Sequence, residues 1–168
     1  MRETDIKTII DATIGVVPRT AVLELFSHLN GPTTQLENKL LQIAETNEDA
    51  DEVECALMVG GLFGSSVESS PVLRRLALAD WHERHEDVVT ALDHFNEKES
   101  VPVLLKVAKK NFRYRRYDLS RSLAIKAIRA LGRISGPEAD AALSELMNDP
   151  EPILADAAAE QMKRRTAV

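Results

Sequence analysis

Apolar residues along this chain recur at intervals of three and four almost throughout, the spacing that gathers them on one face of a helix. In 18–29, Val22, Leu25, Phe26 and Leu29 form such a stripe, with Pro18 suited to the first turn and Asn30-Gly31-Pro32 as the stop. Leu36, Leu40, Leu41 and Ile43-Ala44 mark a second segment over 34–45. The acidic turn 48–52 separates it from a third, 52–63, carrying Val53, Ala56, Leu57, Gly60 and Phe63. Val72, Leu73, Leu76, Ala77 and Ala79 predict a helix over 71–79. The stripe continues toward Leu92 and Phe95 across a charged interruption, which places a break near 80–85. The C-terminal half predicts helices over 100–109, 120–134, 137–147 and 150–163. Val and Ile recur at three and four, not two, so no strand is expected and the fold class is all-α.

The helices also repeat. Laid over one another at an offset of 39, segments 88–108 and 124–146 put Ala91-Leu92 on Ala130-Leu131, Leu104 on Leu143 and Val107 on Leu146. An offset of 31 puts Ala155, Ala158 and Met162 on Ala124, Ala127 and Leu131. Helix pairs at such periods mark an α-solenoid, because one pair cannot bury its own apolar face and a stack can. The plainer alternative is a helical bundle with chance self-similarity. Ala130-Leu131-Gly132, then Pro137-Glu138-Ala139, then Asp149-Pro150 resemble a HEAT repeat in its short bacterial form. The resemblance is clear over 86–163 and degenerate over 18–79. It implies a right-handed α–α superhelix, one HEAT-like domain over 1–168 of four to five stacked helix pairs. Such repeats typically serve as protein-binding scaffolds, and some bind nucleic acid or act in bilin-lyase-like proteins. Fold alone does not decide among these.

Composition removes several classes. No apolar run approaches the ~18 residues of a membrane span, and the acids Glu3 and Asp5 do not suit a signal peptide, so the cytoplasm is expected. Phosphate-loop, dinucleotide-binding and serine-hydrolase motifs are absent. GGLFGSS at 60–66 follows a helical pattern and reads as a helix end and turn. The one cysteine, Cys55, lies in an apolar stripe as a core residue would. No cofactor and no catalytic residue is expected.

Two polar clusters stand out. DWHERHED, 80–87, holds the only tryptophan, two of four histidines and four acids. On a continuous helix His82, His85 and Glu86 would share a face and could grip a divalent metal, but no third ligand or base is identifiable. The favoured reading is structural, with Trp81 packed inward and His82 or Asp80 bonding across a turn. The other is a contact patch anchored on Trp81. The second cluster lies in 106–133, which carries ten basic residues against one acid; its +9 sits within a chain of net charge −6. There KKNFRYRRYD, 109–118, interleaves aromatic and basic residues, as nucleic-acid contacts and protein hot spots both do. Acids are the only charged residues in 45–54 and 136–160, and this opposes a phosphate-binding stripe. Those acids would instead suit a basic partner such as a nuclease toxin domain.

A non-catalytic protein-binding module follows as the leading expectation, monomeric when unbound. Small HEAT-like proteins with a WH..HED stretch are similar to immunity proteins encoded beside polymorphic or contact-dependent toxins. That resemblance implies occlusion of a cognate toxin's active site. The expected contacts are Trp81, His82, His85, Glu86 and Asp87, with Arg113, Tyr114, Arg115, Arg116, Tyr117 and Asp118. The alternatives are an adaptor in a larger complex, or nucleic-acid binding through 106–133.

Overall fold

The computed structural model describes residues 1–166, and among them there is no strand. Ten α-helices follow one another: α1 (Glu3–Thr13), α2 (Thr20–Leu25), α3 (Leu36–Asn47), α4 (Ala50–Phe63), α5 (Ser70–Leu76), α6 (His85–Phe95), α7 (Val101–Lys109), α8 (Ser122–Arg133), α9 (Pro137–Met147) and α10 (Pro152–Thr166). They gather into two compact units, Met1–Val72 and Leu73–Val168, which divide within α5. No described helix is long and apolar enough to cross a membrane.

In the first unit α3 and α4 pack on one another, and α1 packs on α2 and α4. Glu48 ends α3 in the left-handed region at φ 49°, and Asp49 caps α4 by accepting from the N–H groups of Asp51 and Glu52. Part of the acidic run 45–54 is therefore helix-terminal chemistry. Two expectations change here. Helix α2 is shorter than 18–29, because Ser27 and Leu29 donate three residues back and tighten its end into turns. Helix α1 was not anticipated; it buries Ile9 and Ala12.

The second unit is a two-row stack. Helix α8 packs between α6 and α10 in one row; α7 and α9 touch in the other, with α7 against α8 and α9 against α10. The core between the rows holds Val88, Leu92, Leu104, Val107, Ile128, Leu131, Leu143, Leu146 and Leu154, all at 0–1% exposure. Each such side chain contributes roughly 1.5–3 kcal/mol on burial. Close approach of α8 and α10 depends on Gly132, since a Cβ there would sit 2.9 Å from Cβ of Gln161. Gly136, at φ 123°, makes the turn that lets Pro137 open α9 at its predicted start.

The connections differ in length. Turns 134–136 and 148–151 are tight, whereas 77–84 and 110–121 are long excursions. The long ones follow helices that match each other: Ser69-Ser70-Pro71-Val72-Leu73 opens α5 as Ser100-Val101-Pro102-Val103-Leu104 opens α7, 31 positions on. Each start is preceded by a short 3₁₀ turn, 67–69 and 98–100.

Candidate protein-docking groove

Helix α5 stops at Leu76 and runs out into turns, in which Ala77, Leu78 and Ala79 donate to the carbonyls of Leu73, Arg75 and Leu76. Side chains add to these bonds. His82 Nε2 donates to Leu76 O at 2.8 Å, His85 Nε2 to Ala79 O at 2.7 Å, and Lys110 Nζ to Leu78 O at 2.8 Å. The second ring nitrogens accept: His82 Nδ1 from Arg84 N–H at 3.1 Å, and His85 Nδ1 from the Tyr114 hydroxyl at 2.9 Å. Each imidazole is thereby fixed as a neutral tautomer. The rings stack at 4.3 Å between centroids, and His85 also lies 3.9 Å from Phe112 and 5.5 Å from Tyr114. Burial pushes the His85 pKa down to about 4 and lowers that of His82 as well.

This arrangement revises the reading of 80–87. The continuous helix that would align His82, His85 and Glu86 does not form, since His82 precedes α6 and both imidazoles are bonded to loop and helix-end groups. Among the described residues no three His, Cys, Asp or Glu side chains gather to hold a metal. The inward residues are His82 and His85, at 2% and 0% exposure, and Trp81 stays half-buried at the surface. His82 does bond across the turn, and Asp80 reaches out to Lys110 at 2.8 Å.

A second polar knot fixes the far side of loop 110–121. Arg115 bridges Glu86 and Asp118, Lys126 Nζ lies 3.4 Å from Glu86, and Ser122 Oγ is within 3.1 Å of both carboxylates. Burial opposes ionisation of Glu86, but Ser122, Arg115 and Lys126 together hold its pKa below the usual range. Hydrogen bonds from Ser120 and Ser122 hold Asp118 well below it. Arg115, Glu86 and Asp118 are thus engaged with one another, and Asp87 is exposed in the first turn of α6 away from the groove.

Between the two loops lies an open groove of about 890 Å³. Its walls are Trp81, His82, Arg113, Tyr114, Arg116 and Tyr117 from the predicted set, with Asp80, Glu83, Lys110, Asn111 and Phe112 added. The two clusters meet here through the bond between His85 and Tyr114, 29 residues apart in sequence. Tyr117 is 79% exposed, and the Arg116 guanidinium lies over its ring at 4.7 Å.

The positive stretch 106–133 is largely neutralised within the fold. Lys109 pairs with Glu145, Lys110 with Asp80, Arg115 and Lys126 with Glu86, Arg121 with Glu151 and Arg133 with Asp93. Lys106, Arg113, Arg116 and Arg129 have no carboxylate partner among the described residues, and two of these four line the groove. The pairs Glu86–Lys126 and Asp93–Arg133 are each 40 apart, one position beyond the repeat offset of 39. The acids of 136–160 are drawn into the same pairing, with Asp140 on Arg165 and Glu160 on Arg164 besides the two above.

Cys55 is buried at 2% exposure, and burial pushes its thiol up to about 11, so no thiolate forms near neutrality.

The stacked rows of helices make this an all-helical fold of HEAT-like, solenoid type. Residues 123–149, which span α8, its turn and α9, match the family model described as PBS lyase HEAT-like repeat. No curated protein and no solved structure matches the chain.

Proposed function

We propose that this chain is a non-catalytic protein-binding module whose docking surface is the groove between loops 77–84 and 110–121. One observation carries the reading: both enlarged connections meet in a single groove, where the exposed Tyr117, the half-buried Trp81 and two guanidiniums that meet no carboxylate lie over a buried aromatic base. Trp, Tyr and Arg are the residues enriched at binding hot spots. HEAT-like repeats point the same way, since they suggest an interaction or scaffold module. The contact set narrows from the sequence expectation to Trp81, Arg113, Tyr114, Arg116 and Tyr117, with His82 and His85 as the support beneath.

The finer form of the proposal is an immunity protein that occludes the active site of a cognate toxin. It is supported by the WH..HED resemblance. The expected attraction of a basic toxin by 136–160 loses force, because Asp140, Glu145, Glu151 and Glu160 are engaged by cations of the fold. An adaptor role in a larger complex would use the same groove.

Affinity capture from the native host tests the module, run with the natural chain and with Tyr117→Ala. A protein retained by the natural chain and lost by the variant supports the groove. Equal retention by both overturns it. For the immunity form, co-expression of the captured protein with and without this chain must show toxicity relieved stoichiometrically.

A further inference from the structure

Resting on the reading of the groove as a docking surface, we infer that its occupant is an acidic, extended polypeptide segment bearing a large apolar side chain. Charge decides the sign. Lys110 and Asp80 satisfy each other at 2.8 Å, so the groove's uncommitted charges are Arg113 and Arg116 against Glu83. The surplus is positive and sits on loop 110–121, whereas the neighbouring cations Lys109, Arg115 and Arg121 are already paired. Guanidiniums that meet no carboxylate within the fold are ready to take one from outside, in the forked geometry that suits a carboxylate.

Shape and polarity decide the polymer. A single-stranded nucleic acid brings a phosphate at every nucleotide and is held by cations that track the strand. This groove offers two such cations, and it places the carboxylates of Asp80 and Glu83 along the same walls. A peptide carries its negative charges at chosen positions and can pass Glu83 with a neutral residue. The half-buried Trp81 and the exposed Tyr117 then supply faces for one aromatic or aliphatic anchor.

The experiment is fluorescence anisotropy on the full chain with three labelled probes of equal length. They are a peptide of about twelve residues with one Trp flanked by Glu, the same peptide with Lys for Glu, and an oligouridylate. The acidic peptide is expected to bind at least about ten-fold more tightly than either other probe, a difference of ~1.4 kcal/mol. The Arg113→Glu, Arg116→Glu double variant should abolish that binding. Arg129→Glu, the same charge change on α8 outside the groove, should leave it within about two-fold, because uniform charge effects are weak at physiological salt.

Preference for the oligouridylate or the Lys peptide overturns the inference, as does absence of binding to the acidic peptide. If Tyr117→Ala abolishes peptide binding while the double charge reversal leaves it intact, acidic recognition fails and the docking groove stands. If the peptide binds and neither variant changes its affinity, both fail.

Discussion

Loops 77–84 and 110–121 differ from turn 148–151 in what they ask of the chain. All three leave one helix of the stack and start the next. At 148–151 the work is local: Asn148 and Asp149 donate back to Glu145 and Leu146, and Asp149 Oδ1 accepts from Glu151 N–H at 3.0 Å. From a distance Arg121 reaches Glu151 at 2.9 Å, but the turn's backbone bonds are its own. The two long loops are held by side chains: His82 and His85 reach carbonyls six residues back, Lys110 reaches Leu78 from 32 residues away and Arg115 joins Glu86, 29 away, to Asp118. A fold that needs only a turn spends three or four residues there. These connections carry buried imidazoles, a stacked aromatic base and an ion network, and on that base they present a groove. The contrast separates the repeat that makes the stack from the additions that give it a surface.

Breaking the base should cost most. His85→Ala removes a fully buried ring from between His82, Phe112 and Tyr114 and strands the carbonyl of Ala79 and the hydroxyl of Tyr114. Loss of about 4 kcal/mol in urea unfolding is expected, in the range for truncating a buried side chain with its hydrogen bonds. A stable variant with an unchanged midpoint would mean that the base does not support the loops.

Acid should act on the same groups. In the unfolded chain a histidine titrates near 6.5, and in the fold His85 is lowered to about 4 by burial. Between those values the unfolded state binds more protons, so stability is complete above about pH 6.5 and falls as the pH drops toward 4. The loss from His85 alone is about 3 kcal/mol, and His82 shifts in the same direction. His85→Ala should flatten this limb of the stability–pH curve; an unchanged limb would assign it to other groups.

Gly132→Ala probes the repeat itself, independently of the loops. The new methyl would press on Gln161 across α8 and α10, and a loss of about 1–2 kcal/mol is expected by thermal or urea unfolding. Probe binding at the groove should be unchanged in this variant. Loss of binding together with stability would couple the stack to the surface and blur the comparison.

How much of this was legible in the sequence follows the same division. Helix α9 falls at 137–147 as its Pro and its stripe predict, and α8 and α7 lie within a residue or two of expectation. The all-helical reading rests on periodicity, which regular elements obey. Helix α1 falls outside the predicted segments although Ile6, Ile9 and Ile10 carry helical spacing, because it is short and only Ile9 and Ala12 of its apolar residues are buried. Loops have no period to read. His82 bonds across the turn as expected, but it and not Trp81 is the buried ring, because side-chain bonds to carbonyls six residues back leave no sequence pattern. The charge of 106–133 misled for a related reason: a linear sum cannot see a partner one repeat away. Phe112 and Lys110 lie within the run 109–118 but not among the expected contacts, and their part in the groove depends on where loop 110–121 folds back.

The central claim is that partners dock on the enlarged loops and not on the tight-turn edge of the stack. Site-specific photo-crosslinking compares the two edges directly, with a benzophenone amino acid at Tyr117 in one variant and at Met147, 42% exposed beside turn 148–151, in another. In the partner-bound chain, crosslinking is predicted from position 117 and not from position 147. Crosslinking from 147 with none from 117 would contradict the account.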